Sequence, residues 1–219
     1  SAKTIAKVEA AIAQLGYRPN LVARSLVTNR INSIGVLLSR LENPLYAVMV
    51  SGIVQTAAGY GLDVVLGSGR DMDSLLKSVN TLISKQIDGL IVLPVEVNSE
   101  VGATSAEDTR RFYAELERIL SGIPSGGLPT VLLENCEIAG ISGHIRVDYR
   151  GGAELAVDHL VEMGHTKIGM LYHTVQEGIW KDRYLGFVQG MEKHGCTVRP
   201  EYIMGCSDSV LSGFEAGRV

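Results

Sequence analysis

The chain of 219 residues is poor in aromatics, at 5%, with one tryptophan and three phenylalanines. A core must then be built from Leu, Ile, Val and Ala, and an apolar content of 46% provides them. That content excludes disorder as the general state. Long apolar runs are also missing: none approaches the ~18–20 residues that span a bilayer. The N-terminus lacks the charged–apolar–small pattern of an export signal, so the expectation is a cytoplasmic protein with no membrane partner. Cysteine is rare, and Cys136, Cys196 and Cys206 are odd in number and far apart. They fit neither a disulfide framework nor a CxxC metal pair, which agrees with a reducing compartment.

Signatures of catalysis are scarce as well. The chain holds no phosphate-binding GxxxxGK[ST] loop, no HExxH and no GxSxG. Gly67-Ser68-Gly69 follows an apolar run, but Met72 stands where a dinucleotide fingerprint needs its third glycine, so it reads as a strand-to-helix turn. The histidines (His144, His159, His165, His173 and His194) show no metal-ligand spacing. No enzyme, no metal and no cofactor are expected.

A net charge of −4 argues against a general nucleic-acid binder, yet the charge is unevenly placed. Lys3, Lys7, Arg18, Arg24 and Arg30 face a single acid, Glu9, within the first thirty residues, while the remainder is acidic. A basic head on an acidic body suits contact with a polyanion; a solvated charged terminus is the alternative.

Apolar spacing predicts a helix over 4–15 through Val8, Ala11, Ile12 and Leu15, stopped by Gly16. Pro19 and Asn20 then open a second helical segment, Leu21 to Thr28. Two turns are marginal in water, because nucleation is unfavourable and few hydrogen bonds reward it. That segment needs a partner surface to persist.

From residue 32 strands and helices alternate. Buried strands are predicted at 33–38, 62–66, 87–95 and 129–133, with helices over 45–60, 75–84 and 109–120 between them. After a turn near 146–152 a second series follows: helix 153–163, strand 167–172, helix 180–193, strand 202–204, and a helix start at 210–219. Polar or Gly-rich stretches at 96–107 and 121–128 read as surface loops. Such alternation marks an α/β fold with doubly wound parallel sheets. The second series is too short to close a sheet of its own, so the chain reads as part of a longer protein.

In open α/β sheets, ligands bind beyond the carboxyl ends of strands where the strand order switches. Three places qualify: Ser39 with Leu45 and Tyr46 after the first strand, Asp148 between the two series, and Trp180 with Arg183 near the second-series helix. A hydroxyl, an aromatic, a carboxylate and a guanidinium converging there would suit a small polar ligand. The alternatives are ordinary: Asp148 as a helix cap, Arg183 in a local ion pair, Tyr46 in the core.

The sequence resembles the lactose/galactose repressor (LacI/GalR) family of bacterial transcription regulators. The resemblance runs through Gly16-Tyr17-Arg18-Pro19-Asn20, Ala23-Arg24-Ser25-Leu26, Ile34-Gly35-Val36, Asn43-Pro44, Asp88-Gly89-Leu90-Ile91, Val147-Asp148 with Gly151-Gly152, Gly164-His165, Arg183 with Gly186-Phe187, and Ser212-Gly213. It implies a two-lobed body like the periplasmic sugar-binding proteins, preceded by a remnant of a helix-turn-helix headpiece and a hinge helix. Residues 1–19 would be the last headpiece helix and 20–30 the hinge. The first effector-binding lobe would span 31–148, and 149–219 would begin the second, with both ends of a usual member lying outside the chain. The stretch from Pro94 to Pro129 is longer than the family leads one to expect.

What the resemblance implies for function is a repressor controlled by a small effector, most often a sugar or sugar derivative, and acting as a homodimer on operator DNA. Leu26 would wedge between base pairs beside the small Ala23, which costs a few kcal/mol of unstacking, offset by the contact a bent duplex allows. Arg24 and Arg30 would meet phosphates, and Asn20 also lies on the DNA side. Ser39, Leu45, Tyr46, Asp148 and Arg183 fall on positions that would line the effector cleft, with Trp180 added from the strand-end argument alone. The rival reading is a periplasmic-type solute-binding protein of the same fold, which has no need of the basic head.

Overall fold

The computed structural model describes residues 2–16, 31–97, 105–124, 127–133, 138–139, 141–173, 178–207 and 210–218. Helix α1 (Ala2–Leu15) comes first, and its side chains from Thr4 onward are exposed, Val8 and Leu15 included. The predicted two-turn segment 21–28 lies outside the described residues.

The body begins with β1 (Ser33–Leu38), α2 (Pro44–Gly59), β2 (Asp63–Ser68), α3 (Met72–Ser84), β3 (Gly89–Val92), α4 (Ala106–Ser121), β4 (Thr130–Leu133) and β5 (Gly143–Ile145). The strands form one sheet, parallel throughout, in the order β2-β1-β3-β4-β5. Parallel neighbours need a crossover, and the first three crossovers each carry a helix. The period-two alternation of side chains sorts the core into two layers. Leu37, Leu90, Val92 and Leu132 point to the face covered by α3 and α4, where they meet Leu75, Val79, Phe112 and Leu116. Val36, Leu38 and Leu93 point to the other face and meet Tyr46, Met49 and Ile53 of α2.

The helices start where short-range chemistry favours it. The Asn43 side chain accepts the Leu45 N–H at 3.0 Å, and Pro44 opens α2 with its φ already helical. Asp71 and Ser74 form a reciprocal capping box at α3, and Ser105 accepts the Asp108 N–H at 3.1 Å at α4.

A second unit follows: α5 (Tyr149–Glu162), β6 (Met170–His173), α6 (Ile179–Lys193), a 3-10 turn at Pro200–Tyr202, β7 (Ile203–Cys206) and α7 (Val210–Ala216). β6 and β7 pair in parallel, and Val157, Ile168, Phe187 and Met191 form their core with α5 and α6. These helices approach closely along Gly186 and Gly190, one turn apart. A Cβ at Gly186 would overlap the Arg150 carbonyl, and one at Gly190 would sit 2.8 Å from the Val157 Cβ. At one edge of the pair, Lys193 Nζ reaches Glu154 at 3.0 Å and Asp158 at 2.8 Å, while His194 Nε2 lies 2.7 Å from Asp158.

Three expectations need correction. The helix predicted from 153 begins at Tyr149, because Asp148 caps it and first-turn glycines are tolerated once a cap is in place. The predicted surface loop 96–107 is not all surface: Val97 is fully buried, and its N–H donates to Thr109 Oγ1 at 3.0 Å. Strand β5 was not anticipated, since three residues, Gly143-His144-Ile145, carry no periodicity of their own. The long Pro94–Pro129 stretch contains α4, the crossover helix that delivers the chain to β4.

Gly186→Ala is expected to cost about 1–3 kcal/mol by forcing α5 and α6 apart, read as a lowered denaturation midpoint. Hydrogen bonds from Lys193 first, then from His194, hold the Asp158 carboxyl below its ordinary pKa. Its contribution is complete above the ordinary carboxylate range and is lost as pH falls through the lowered value. Melting curves from about pH 6 to about pH 2 should therefore show a shallower acid decline in Asp158→Asn than in the parent.

Candidate functional site

β1 and β3 are neighbours whose following connections leave on opposite faces of the sheet, toward α2 and α4 respectively. A crevice opens at such a switch point beyond the strand ends. From the first unit it receives Arg40, Glu42 and the start of α2 after β1, and Pro94 with Glu96 after β3. The second unit closes it with Tyr149 from the first turn of α5 and with Ile179, Trp180 and Arg183 from the start of α6. The crevice has a volume of about 340 Å³, a size typical of small-molecule sites.

Its walls are braced. Tyr46 is almost fully buried, and its Oη donates to the Pro94 carbonyl at 2.9 Å, tying α2 to the end of β3. Arg40 Nη2 donates to Glu96 Oε2 at 2.8 Å across the same opening. Glu42 is paired with Arg70. On the second unit the Arg183 guanidinium carbon lies 4.7 Å from the Trp180 ring centre and 4.8 Å from that of Tyr149. Trp180 in turn stacks on His173, with centroids 4.9 Å apart and planes within 18°. A cation over two ring faces is attracted by both quadrupoles and loses much of its freedom to swing.

Of the residues singled out from sequence, Leu45, Tyr46, Trp180 and Arg183 come together at this cavity. Ser39 and Asp148 do not line it. Ser39 is buried just past β1, with no hydrogen-bond partner for its Oγ among the described residues. Asp148 serves α5, accepting the Gly151 N–H at 2.8 Å, so the cap named as its alternative is the bond it makes. The predicted DNA-side residues Asn20, Ala23, Arg24, Leu26 and Arg30 lie outside the described residues.

Sequence reasoning passed over Arg40, Glu42, Glu96 and Tyr149. A signal was present: Arg40 and Glu96 are charges set directly after the apolar runs of β1 and β3, which places both at the carboxyl ends of neighbouring strands. Only the pairing of β1 with β3 shows that they meet.

A parallel sheet with this strand order, followed by a second parallel unit and a cavity walled by both, defines the class of two-lobed α/β ligand-binding proteins. Residues 31–108 match the family described as periplasmic binding proteins and sugar binding domain of LacI family. The chain is 29% identical over 212 residues to catabolite control protein A of Priestia megaterium, covering 96% of this chain and 58% of that protein. It is 29% identical over 214 residues to the ribose operon repressor of Escherichia coli, covering 97% of this chain and 60% of the relative. A crystal structure of the lac repressor dimer bound to operator and an anti-inducer superposes with a TM-score of 0.73 at 25% identity, over 98% of this chain and 60% of that one. The chain spans about 60% of the length of these relatives.

Tyr46→Phe is expected to leave the Pro94 carbonyl without this donor. The cost is about 1–2 kcal/mol, checked by chemical denaturation of the two proteins side by side.

Proposed function

We propose that the chain is the effector-sensing body, with its hinge segment, of a repressor-type transcription regulator that binds operator DNA in the cytoplasm as a homodimer. The observation that carries this reading is the cavity between the two units, with Arg183, Trp180 and Tyr149 of the second unit facing Arg40, Glu96 and Tyr46 of the first. A ligand touching both walls favours the arrangement that brings them together. That differential affinity is what lets a small molecule bias a second, distant equilibrium.

The effector is a sugar or sugar derivative. This accords with the sugar-binding description of the matching family and with a relative named for the ribose operon. The regulator role accords with relatives named as control proteins and repressors rather than enzymes. For a homodimer, α2 carries no charged residue along its sixteen positions and leaves Val48 and Val54 exposed, a face that a second copy can cover. Among the described residues no helix is long and apolar enough to cross a membrane.

The proposed DNA side comprises Asn20, Ala23, Arg24, Leu26 and Arg30. Their segment of two turns holds its helix only when apposed to a partner and a duplex, because so short a helix is marginal alone. Effector capture in the cleft shifts the first units of the two subunits and so biases that order–disorder step.

Two variants of the full-length protein separate the halves of this mechanism. Leu26→Ala should weaken operator binding at least tenfold while leaving ligand-induced thermal stabilisation intact. Arg183→Ala should remove the ligand response while operator affinity without ligand stays within about twofold. A screen of sugars, sugar derivatives and purines by melting temperature provides the ligand. Equal loss of both readouts in either variant would show that the two sites are not separate.

A further inference from the structure

Trp180 lines two cavities. One is the crevice between the units. The other, about 360 Å³, lies within the second unit, walled by Tyr172 of β6, Ile203 of β7, and Lys181, Tyr184 and Leu185 of α6. Among the described residues no other side chain is common to both walls, so the indole is the boundary they share. The second cavity has the chemistry of a place that takes a sugar ring or an aryl group. Tyr172 and Tyr184, with ring centres 6.1 Å apart, combine apolar faces with hydroxyl tips, and Lys181 adds a donor.

An indole in the first turn of a helix turns about two bonds, and a change of rotamer would move it bodily. His173 restrains it. That histidine ends β6, where it stands in register with Cys206 of β7, and only 8% of it is exposed. Its ring lies within 18° of parallel to the indole, at a centroid distance of 4.9 Å. The Arg183 guanidinium, 4.7 Å from the same indole, is a second support. One partner is fixed by a sheet and the other by the next turn of the same helix. Together they hold Trp180 where it closes one cavity off from the other.

We propose that Trp180 is a specificity-determining residue that limits ligand length, with His173 as its positioning residue. The stacked indole ends the ligand at the crevice, and the cavity beyond it is room for one more ring that the indole withholds. The proposal rests on the reading of the crevice as the effector site and adds the size class of what enters: a monosaccharide or a derivative of similar size. His173 touches no ligand in this scheme; it acts through Trp180.

The full-length protein is titrated calorimetrically with D-ribose, D-glucose and D-galactose, each as the free sugar and as its phenyl glycosides, together with cellobiose and lactose. The parent should bind one free sugar at least tenfold tighter than any extended form of it. Trp180→Ala should shrink or invert that ratio by at least tenfold, and Trp180→Leu should go part of the way. His173→Ala should move the ratio in the same direction, while His173→Phe, which keeps a flat ring to stack, should hold the parent's value. The double variant of His173→Ala with Trp180→Ala should go no further than Trp180→Ala alone. A role in stability alone would weaken short and long ligands alike and leave the ratio unmoved. Circular dichroism and melting of each variant check that it is folded.

A parent that binds an extended form as tightly as the free sugar overturns the proposal while leaving the crevice as a sugar site. Ratios that stay within about twofold of the parent's in both Trp180 variants overturn it too, as does loss of all binding in both. If His173→Phe behaves as His173→Ala does, the stack is not what positions the indole, and that half of the proposal falls. A parent that responds to no compound in the set overturns the sugar reading of the crevice and the length limit with it.

Discussion

The arrangement of the whole site depends on one topological constraint: β1 and β3 lie side by side, and the chain leaves them on opposite faces of the sheet. No helix can cover the space directly beyond both strand ends, so a crevice is forced there. Tyr46 and Glu96 owe their places to it, one at the start of the helix after β1 and the other in the segment after β3. The hydrogen bond from Tyr46 to the Pro94 carbonyl and the Arg40–Glu96 pair then hold the two exits at a fixed separation. Without that rigid wall, the second unit would have nothing defined to close against.

The second wall is built by a different principle. Its rigidity comes from stacking, with His173 behind Trp180 and Arg183 over both Trp180 and Tyr149. Tyr149 is placed by the start of α5, Trp180 and Arg183 by the first turns of α6, and His173 by the end of β6. α5 and α6 can bring these groups together only because Gly186 and Gly190 let the helices nearly touch. Asp148 contributes at one remove: by capping α5 it fixes where that helix begins, and so where Tyr149 stands. The carboxylate expected at the cleft thus caps the helix that carries a cavity-lining ring.

Much of the fold was legible from local chemistry. The apolar run at 33–38 is strand β1 to the residue, and helix boundaries at α2, α4 and α6 fall within a few positions of the spacing-based reading. These elements have strong periodicity and plain start signals, such as Asn43-Pro44. β5 and the start of α5 were missed for the complementary reason. A three-residue strand exists by virtue of its pairing with β4, and a glycine pair looks like a break until the cap ahead of it is seen.

The amino-acid order by itself determined the alternation of strands and helices, the two-unit plan, and which stretches carry family-like motifs, because those follow from periodicities and turn chemistry acting over a few residues. It also put Tyr46, Trp180 and Arg183 forward, since each follows an apolar run at a sheet's carboxyl end. Only tertiary structure decided that Arg40 meets Glu96 across fifty-six positions, that Tyr149 rather than Asp148 lines the cavity, and that Arg183 rests on two rings. Those outcomes depend on which strands become neighbours and how closely two helices pack. Both are contests among distant parts of the chain that no local pattern encodes.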